Sequence, residues 1–292
     1  MKYAVVDTGS NTIRMSIYDC SNGKIEEIFT EAIFANLASH IVDTELTDEG
    51  ISVCCDALKK HEQTAKEYDA EFCVFATAAI RNAKNCEKVV KKVKENTSID
   101  LKILSGTDEG ELSFLGACGD FTVQSGIMAD VGGGSSEIIA FENGKIKALR
   151  SIPLGSLAAY KRFVSDAIPT PDEAENIMCE IKNNLDKNED FKNIKSDTLC
   201  LVGGGVLASQ KLSQVFLKDS NLTAKNINTL LSLFVARENS LAILENLIPK
   251  RKLTITPGLC IYNALCKYFG AQKIEISDKG IKEGYLKKYL LH

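Results

Sequence analysis

Short runs of apolar and β-branched residues, each stopped by a turn signal, open the chain. Tyr3 to Val6 is one such run, ended by Asp7-Thr8-Gly9-Ser10-Asn11, and it predicts a strand. Ile13 to Tyr18 and Lys24 to Phe34 predict two more, and the Asn22-Gly23 pair between them is a strong hairpin signal. The pattern then lengthens. Thr47 is placed to cap a helix from Asp48 to about Tyr68, with acidic residues in its first turn. Glu71 to Ala76 predicts a buried strand. Helical stretches follow through Lys94, then a strand near Leu101 to Leu104 and a helix from Asp108 to about Cys118.

The second half begins the same way. Ile127 to Val131 predicts a strand ended by Gly132-Gly133-Gly134-Ser135-Ser136, and Glu137 to Phe141 and Ile146 to Ile152 predict a hairpin around Asn143-Gly144. Thr170-Pro171-Asp172-Glu173 is a capping box with proline at the first helical position. Thr198 to Val202 predicts a strand ended by Gly203-Gly204-Gly205. The remainder reads as helical apart from a strand at Lys273 to Ser277. A strand, an aspartate, glycines and a hairpin thus occur once in each half. This predicts a duplicated domain with two facing loops; two unrelated glycine turns are the alternative.

Composition narrows the class. A length of 292 residues allows two domains of ~100–200 residues, and 45% hydrophobic with 25% charged residues suits a globular chain. The formal net charge of −4 argues against nucleic-acid or acidic-membrane partners, which need a basic face. Lys88, Lys91, Lys92 and Lys94 form a local basic stretch, readable as a solvated helix face or as a track for a polyanion. The ten cysteines show no CxxC spacing and sit mostly in apolar runs, so they read as reduced thiols of a cytoplasmic protein. Asp7 ends the first apolar run too early for a signal peptide, and no run of ~18 apolar residues predicts a membrane span. His40, His61 and His292 show no triad or zinc spacing and receive no chemistry.

Glycine turns after strands suit phosphate binding, because bare amides approach an anion closely. No GxxxxGK[ST] string occurs, and the loop at Gly132 runs into a strand pattern rather than the helix a dinucleotide fold requires. What remains is a hairpin loop with an aspartate at its entrance, seen twice. A carboxylate beside phosphate makes sense with a divalent cation between them, since Mg²⁺ takes one or two carboxylates and fills its other positions with water and phosphate. Asp7, Asp130 and Glu137 are therefore the candidate ligands for Mg²⁺ or Mn²⁺. A turn or strand-end role is the alternative for each.

The string from Asp7, DTGSNTIRMSIY, resembles the first phosphate loop of the exopolyphosphatase/guanosine pentaphosphate phosphohydrolase (Ppx/GppA) family. FATAAIRNAKN (75–85), ILSGTDEGELSFLG (103–116), ADVGGGSSEI (129–138), SIPLGS (151–156), LVGGG (201–205) and ITPG…ISDKGIKEGYL (255–286) are similar to its further blocks, in order. The resemblance implies a duplicated actin-like α/β fold of the ribonuclease H, Hsp70 and sugar-kinase kind, with an interdomain cleft. Domain I would span 1–118 and domain II 119–280, with the final helix, 281–292, packing on domain I.

The resemblance also implies roles. Glu109 matches the catalytic glutamate, and Arg81 matches an arginine that, like Arg14, offers a guanidinium clamp. Gly9, Ser10, Asn11, Gly132, Gly133, Gly134, Ser135, Gly203 and Gly204 match phosphate loops, while Asp7, Asp130 and Glu137 match metal and phosphate positions. Four positions depart from the family pattern. Ser136 replaces a threonine, Glu111 an arginine, Val206 a threonine and Lys282 an arginine. The implied activity is release of terminal phosphate from inorganic polyphosphate or guanosine pentaphosphate by a homodimer, with Glu109 as general base. An ATP-binding kinase or ATPase, or a silent nucleotide sensor, is the alternative on the same fold. Without the resemblance, Glu109 reads as a first-turn acid favourable to the helix dipole, and Arg14 as a structural partner of a carboxylate.

Overall fold

Tyr3, Ala4, Val5 and Val6 are buried on both sides of the strand that carries them, which is why this run shows no alternation. The structure, a computed structural model, describes residues 1–21, 24–235 and 239–291. It divides into two units: Met1–Leu112 together with the segment from Lys282 onward, and Ser113–Ile281.

In the first unit β1 (Lys2–Thr8), β2 (Ile13–Asp19) and β3 (Glu26–Ile33) form an antiparallel meander. A short ladder of β4 (Ile41–Val42) and β5 (Glu45–Leu46) leads into α1 (Asp48–Glu67). Then come β6 (Glu71–Ala76), α2 (Ala78–Arg81), α3 (Cys86–Thr97), β7 (Lys102–Ile103) and α4 (Gly106–Ala117). The sheet order is β3-β2-β1-β6-β7, with β6 and β7 parallel to β1. Thr47 caps α1 by accepting from the Gly50 amide. One sheet face packs Val6, Ile13, Met15 and Ile17 against Ile51, Leu58, Val89 and Val93 of α1 and α3. The chain's end covers the other face. There α11 (Ile281–Tyr285) widens into a π-helical turn over Leu286–Leu290, and Tyr285 stacks on Phe75 at 5.0 Å.

The second unit repeats this sheet. It has β8 (Gly126–Val131), β9 (Ser136–Glu142), β10 (Lys145–Ile152), β11 (Thr198–Val202) and β12 (Lys273–Ser277) in the order β10-β9-β8-β11-β12. Asn143 (φ 51°) and Gly144 (φ 68°) make the positive-φ turn that their sequence predicts. Its helices are α5 (Ser156–Phe163), α6 (Pro171–Asp186), α7 (Gly204–Leu217), α8 (Ala224–Val235), α9 (Ser240–Leu247) and α10 (Ile255–Phe269). The Thr170–Glu173 capping box is formed in full. The core centres on α10, packed with Ile177, Phe191, Leu230 and Phe234.

Several expectations change. The boundary falls inside α4 rather than after residue 118, because Phe114 and Ala117 already pack under Met128, Ile139 and Val202 of the second sheet. Helix α5 was not expected, since Gly155 stands where a side-chain cap would announce it. The Asn22-Gly23 turn lies outside the described residues. All ten cysteines are free thiols. Burial pushes Cys54, Cys200, Cys260 and Cys266 up to about 12. Among the described residues no helix is long and apolar enough to cross a membrane.

Candidate functional site: two glycine loops and a buried glutamate

In the first unit β1 ends on Asp7, whose register partner across the ladder is Arg14 on β2. Gly9, Ser10 and Asn11 form the connecting loop, closed by Gly9 N–H donating to Thr12 O at 3.2 Å. Its carbonyls turn toward the protein: Ser10 O accepts from Ala38 N, and Asn11 O from Asn36 N, both at 2.9 Å. Arg14 itself is exposed. Behind β2, the buried His61 ring bonds Ile13 O through Nε2 at 3.2 Å and serves as an anchor.

In the second unit β8 carries Asp130, and its register partner on β9 is Glu137. Directly opposed residues share a face with Cβ atoms about 5 Å apart, so two like charges meet here. Both are held by hydroxyls: Ser113 Oγ donates to Asp130 Oδ2 at 2.5 Å, and Ser151 Oγ to Glu137 Oε1 at 2.7 Å. The loop Gly132-Gly133-Gly134-Ser135 closes by Gly132 N–H to Ser135 O at 3.0 Å. Gly132 O accepts from Ser156 N, and Gly133 O from Leu157 N and Ala158 N, which satisfies the first amides of α5. Gly155 makes this docking fit, since an added Cβ would lie 2.5 Å from Gly132 O. The third glycine run, Gly203 and Gly204, opens α7; Gly203 holds φ 98° with Asp130 Oδ1 beside it.

Glu109 is buried in α4, in the first unit, one turn from the helix start. Arg81 Nη1 donates to Glu109 Oε2 and, at 3.1 Å, to Leu104 O. The neighbouring Asp108 carboxyl is held below the ordinary range, chiefly by the Ser105 hydroxyl bonded to it. The departing residues also find partners. Glu111 takes Lys288 at 3.0 Å, and Lys282 bonds Ser16 Oγ, with burial as the main cause of its lowered pKa. The basic stretch is spent on ion pairs: Lys88 and Lys92 meet Asp48, Lys91 meets Glu95, and Lys94 meets Asp100.

Sequence reasoning missed several participants. Arg251, from the turn before α10, lies over Gly204, and the Tyr262 hydroxyl abuts Gly205. Nothing local marks either. Ser113 and Ser151 were also missed. Among the described residues no three His, Cys, Asp or Glu side chains converge as a metal cluster. The pair Asp130–Glu137 nonetheless fits Mg²⁺: a cation would relieve the repulsion of two opposed carboxylates, and this ion is typically held by one or two.

The paired sheets of matching strand order and their glycine loops define a duplicated α/β protein. Comparison with solved structures shows the same fold. An exopolyphosphatase from Cytophaga hutchinsonii aligns with TM-score 0.87 at 21% identity, over 98% of this chain and 97% of its own. A Ppx/GppA protein from Aquifex aeolicus aligns with TM-score 0.82 at 23% identity, over 100% and 98%. The chain belongs to the Ppx/GppA phosphatase family, whose model matches residues 16–292. Among relatives, a bifunctional 3-dehydroquinate synthase/phosphatase of Fusobacterium nucleatum is 28% identical over 94% of this chain. The chain spans 44% of that relative's length. Exopolyphosphatase 1 of Mycobacterium tuberculosis is 23% identical over 99% of this chain and 88% of its own.

Proposed function

We propose that this chain is a Mg²⁺-dependent phosphohydrolase that releases the terminal phosphate of inorganic polyphosphate, guanosine pentaphosphate or both. The observation that carries the reading is the buried Glu109, a carboxylate kept in the first turns of α4 with a guanidinium bonded to one oxygen. Glu109 takes the proton from the attacking water. The loops at 9–11 and 132–135 each offer backbone amides suited to phosphoryl oxygens, apart from Gly9 N and Gly132 N, which close the loops themselves. Arg14 and Arg251 add guanidinium contacts suited to phosphate. Asp130 and Glu137 hold the cation, with Ser113 and Ser151 orienting their oxygens. When bound, Mg²⁺ neutralises charge on the phosphoryl oxygens. Such transfer depends mainly on positioning and electrostatic stabilisation, which these groups supply. The reading extends to a cytoplasmic homodimer.

The test is phosphate release from polyphosphate, guanosine pentaphosphate and ATP, with and without Mg²⁺. Glu109→Gln should lower turnover by ~10²–10⁴ with polyphosphate binding retained. Turnover of ATP alone would replace this reading with a kinase or ATPase.

A further inference from the structure

Arg81 presents a guanidinium in the same unit as Glu109, and its bonds say what it does. Nη1 is shared between Glu109 Oε2 and Leu104 O, and Nε lies 3.4 Å from Asn82 Oδ1. One end of this arrangement is pinned to the sheet and the other to the start of α4. Leu104 N donates to Ala76 O at 3.0 Å, extending the β6–β7 ladder, and Arg81 closes the short helix that follows β6. On the other side Glu109 N donates to Ser105 O at 2.9 Å. The pair is largely shielded, with 17% of the Arg81 side chain and 10% of Glu109 exposed.

The other charges on the surrounding elements are turned elsewhere. Asp108 bonds Ser105, Glu111 bonds Lys288, and Lys102 lies over the Tyr289 ring at 3.7 Å. Arg81 is the cation that bonds the glutamate.

We infer that Arg81 is a positioning residue acting through Glu109: it keeps the carboxylate ionised and fixes one oxygen, so that the other accepts the water's proton. This inference rests on the reading of Glu109 as the base. A neighbouring guanidinium favours the charged carboxylate, and its planar fork sets orientation as well as charge. The cost of the arrangement is a weaker base; the gain is one ready at lower pH.

The experiment compares pH–rate profiles of the wild type, Arg81→Gln, Arg81→Lys and Glu109→Gln. In Arg81→Gln the acid limb of both kcat and kcat/KM should move to higher pH by about one unit or more, while KM on the plateau changes less than about twofold. Arg81→Lys should return the limb toward its wild-type position with a lower plateau. Carbon-13 titration of the Glu109 carboxyl in the free protein should shift the same way, and it reports without turnover. An unmoved limb with a raised KM would overturn the inference and make Arg81 a substrate contact. If Arg81→Gln does not fold, Arg81→Lys and the carboxyl titration decide alone. Wild-type turnover in Glu109→Gln would instead remove the base itself, whatever the arginine variants do.

Discussion

Residues 7–14 and 130–137 follow the same path and end on opposite charges. Each runs from an aspartate on a central strand through a loop closed by an i to i+3 amide bond, Gly9 to Thr12 and Gly132 to Ser135. Each returns to a residue in register with that aspartate. In the first unit this residue is Arg14, exposed; in the second it is Glu137, 4% exposed. The first pair is neutral and the second carries two negative charges. Duplication has therefore kept the frame and reassigned the chemistry at one position. An aspartate in register with arginine sums to no net charge, whereas an aspartate in register with glutamate leaves a doubly negative pair, which suits the second loop to the proposed cation.

The largest effects should separate these two pairs. Glu137→Gln should raise the Mg²⁺ concentration for half-maximal phosphate release by ~100-fold, since even groups that only orient metal ligands cost 10–100-fold when removed. Arg14→Gln should leave the Mg²⁺ requirement in place and raise KM for polyphosphate ~10-fold, through loss of charge-assisted bonds to phosphate. Mg²⁺ titrations of both variants give the answer. Equal shifts in metal requirement would dissolve the division of labour.

The loops also differ in how tightly they are backed. A Cβ at Gly155 would meet the backbone of Gly132 and Gly133 at 2.5–2.7 Å, while one at Gly9 would meet Thr12 O at 3.0 Å. Backbone cannot swing aside as a side-chain end can. Gly155→Ala should therefore cost ~1–3 kcal/mol in urea unfolding and reduce phosphate release about tenfold, with Gly9→Ala milder on both counts. A reversed order would mean that α5 does not brace the second loop.

Much of this frame was legible in the chain, for reasons that vary by residue. Strand β6 runs from Glu71 to Ala76 as its apolar run predicts, and Thr47 and Thr170 cap the helixes that follow them. The repeated strand, aspartate and glycines also anticipated the matching sheet orders. Ser151 shows where such reading stops. An unbroken two-residue hairpin at Asn143-Gly144 would set Arg150 opposite Glu137, but a bulge between Ile146 and Ala148 slides the ladder by one and brings Ser151 there. Arg251 was hidden for another reason. It reaches Gly204 through packing of α10 and its preceding turn, a contact no local pattern encodes.

The smallest expected effect concerns a lysine–carboxylate pair in each unit. Lys279 bonds Asp120 Oδ1 at 2.6 Å, and Ser277 Oγ bonds Oδ2 at 2.7 Å, so both oxygens of a carboxylate only 25% exposed are fixed. Lys288 meets Glu111 at 3.0 Å with 46% of the glutamate exposed, where water screens the attraction and the long side chains lose more entropy on pairing. Double-mutant cycles in urea should give a coupling of about 0.5–1 kcal/mol for Lys279–Asp120 and less than about 0.5 kcal/mol for Lys288–Glu111. The hydrogen bond that Lys288 donates to Glu111 raises its ammonium above its ordinary value. Its share is thus complete at neutral pH and fades only as pH climbs through that raised value. Added salt should erase the weaker coupling first. Equal couplings that fade together would show that exposure does not set the worth of these two contacts.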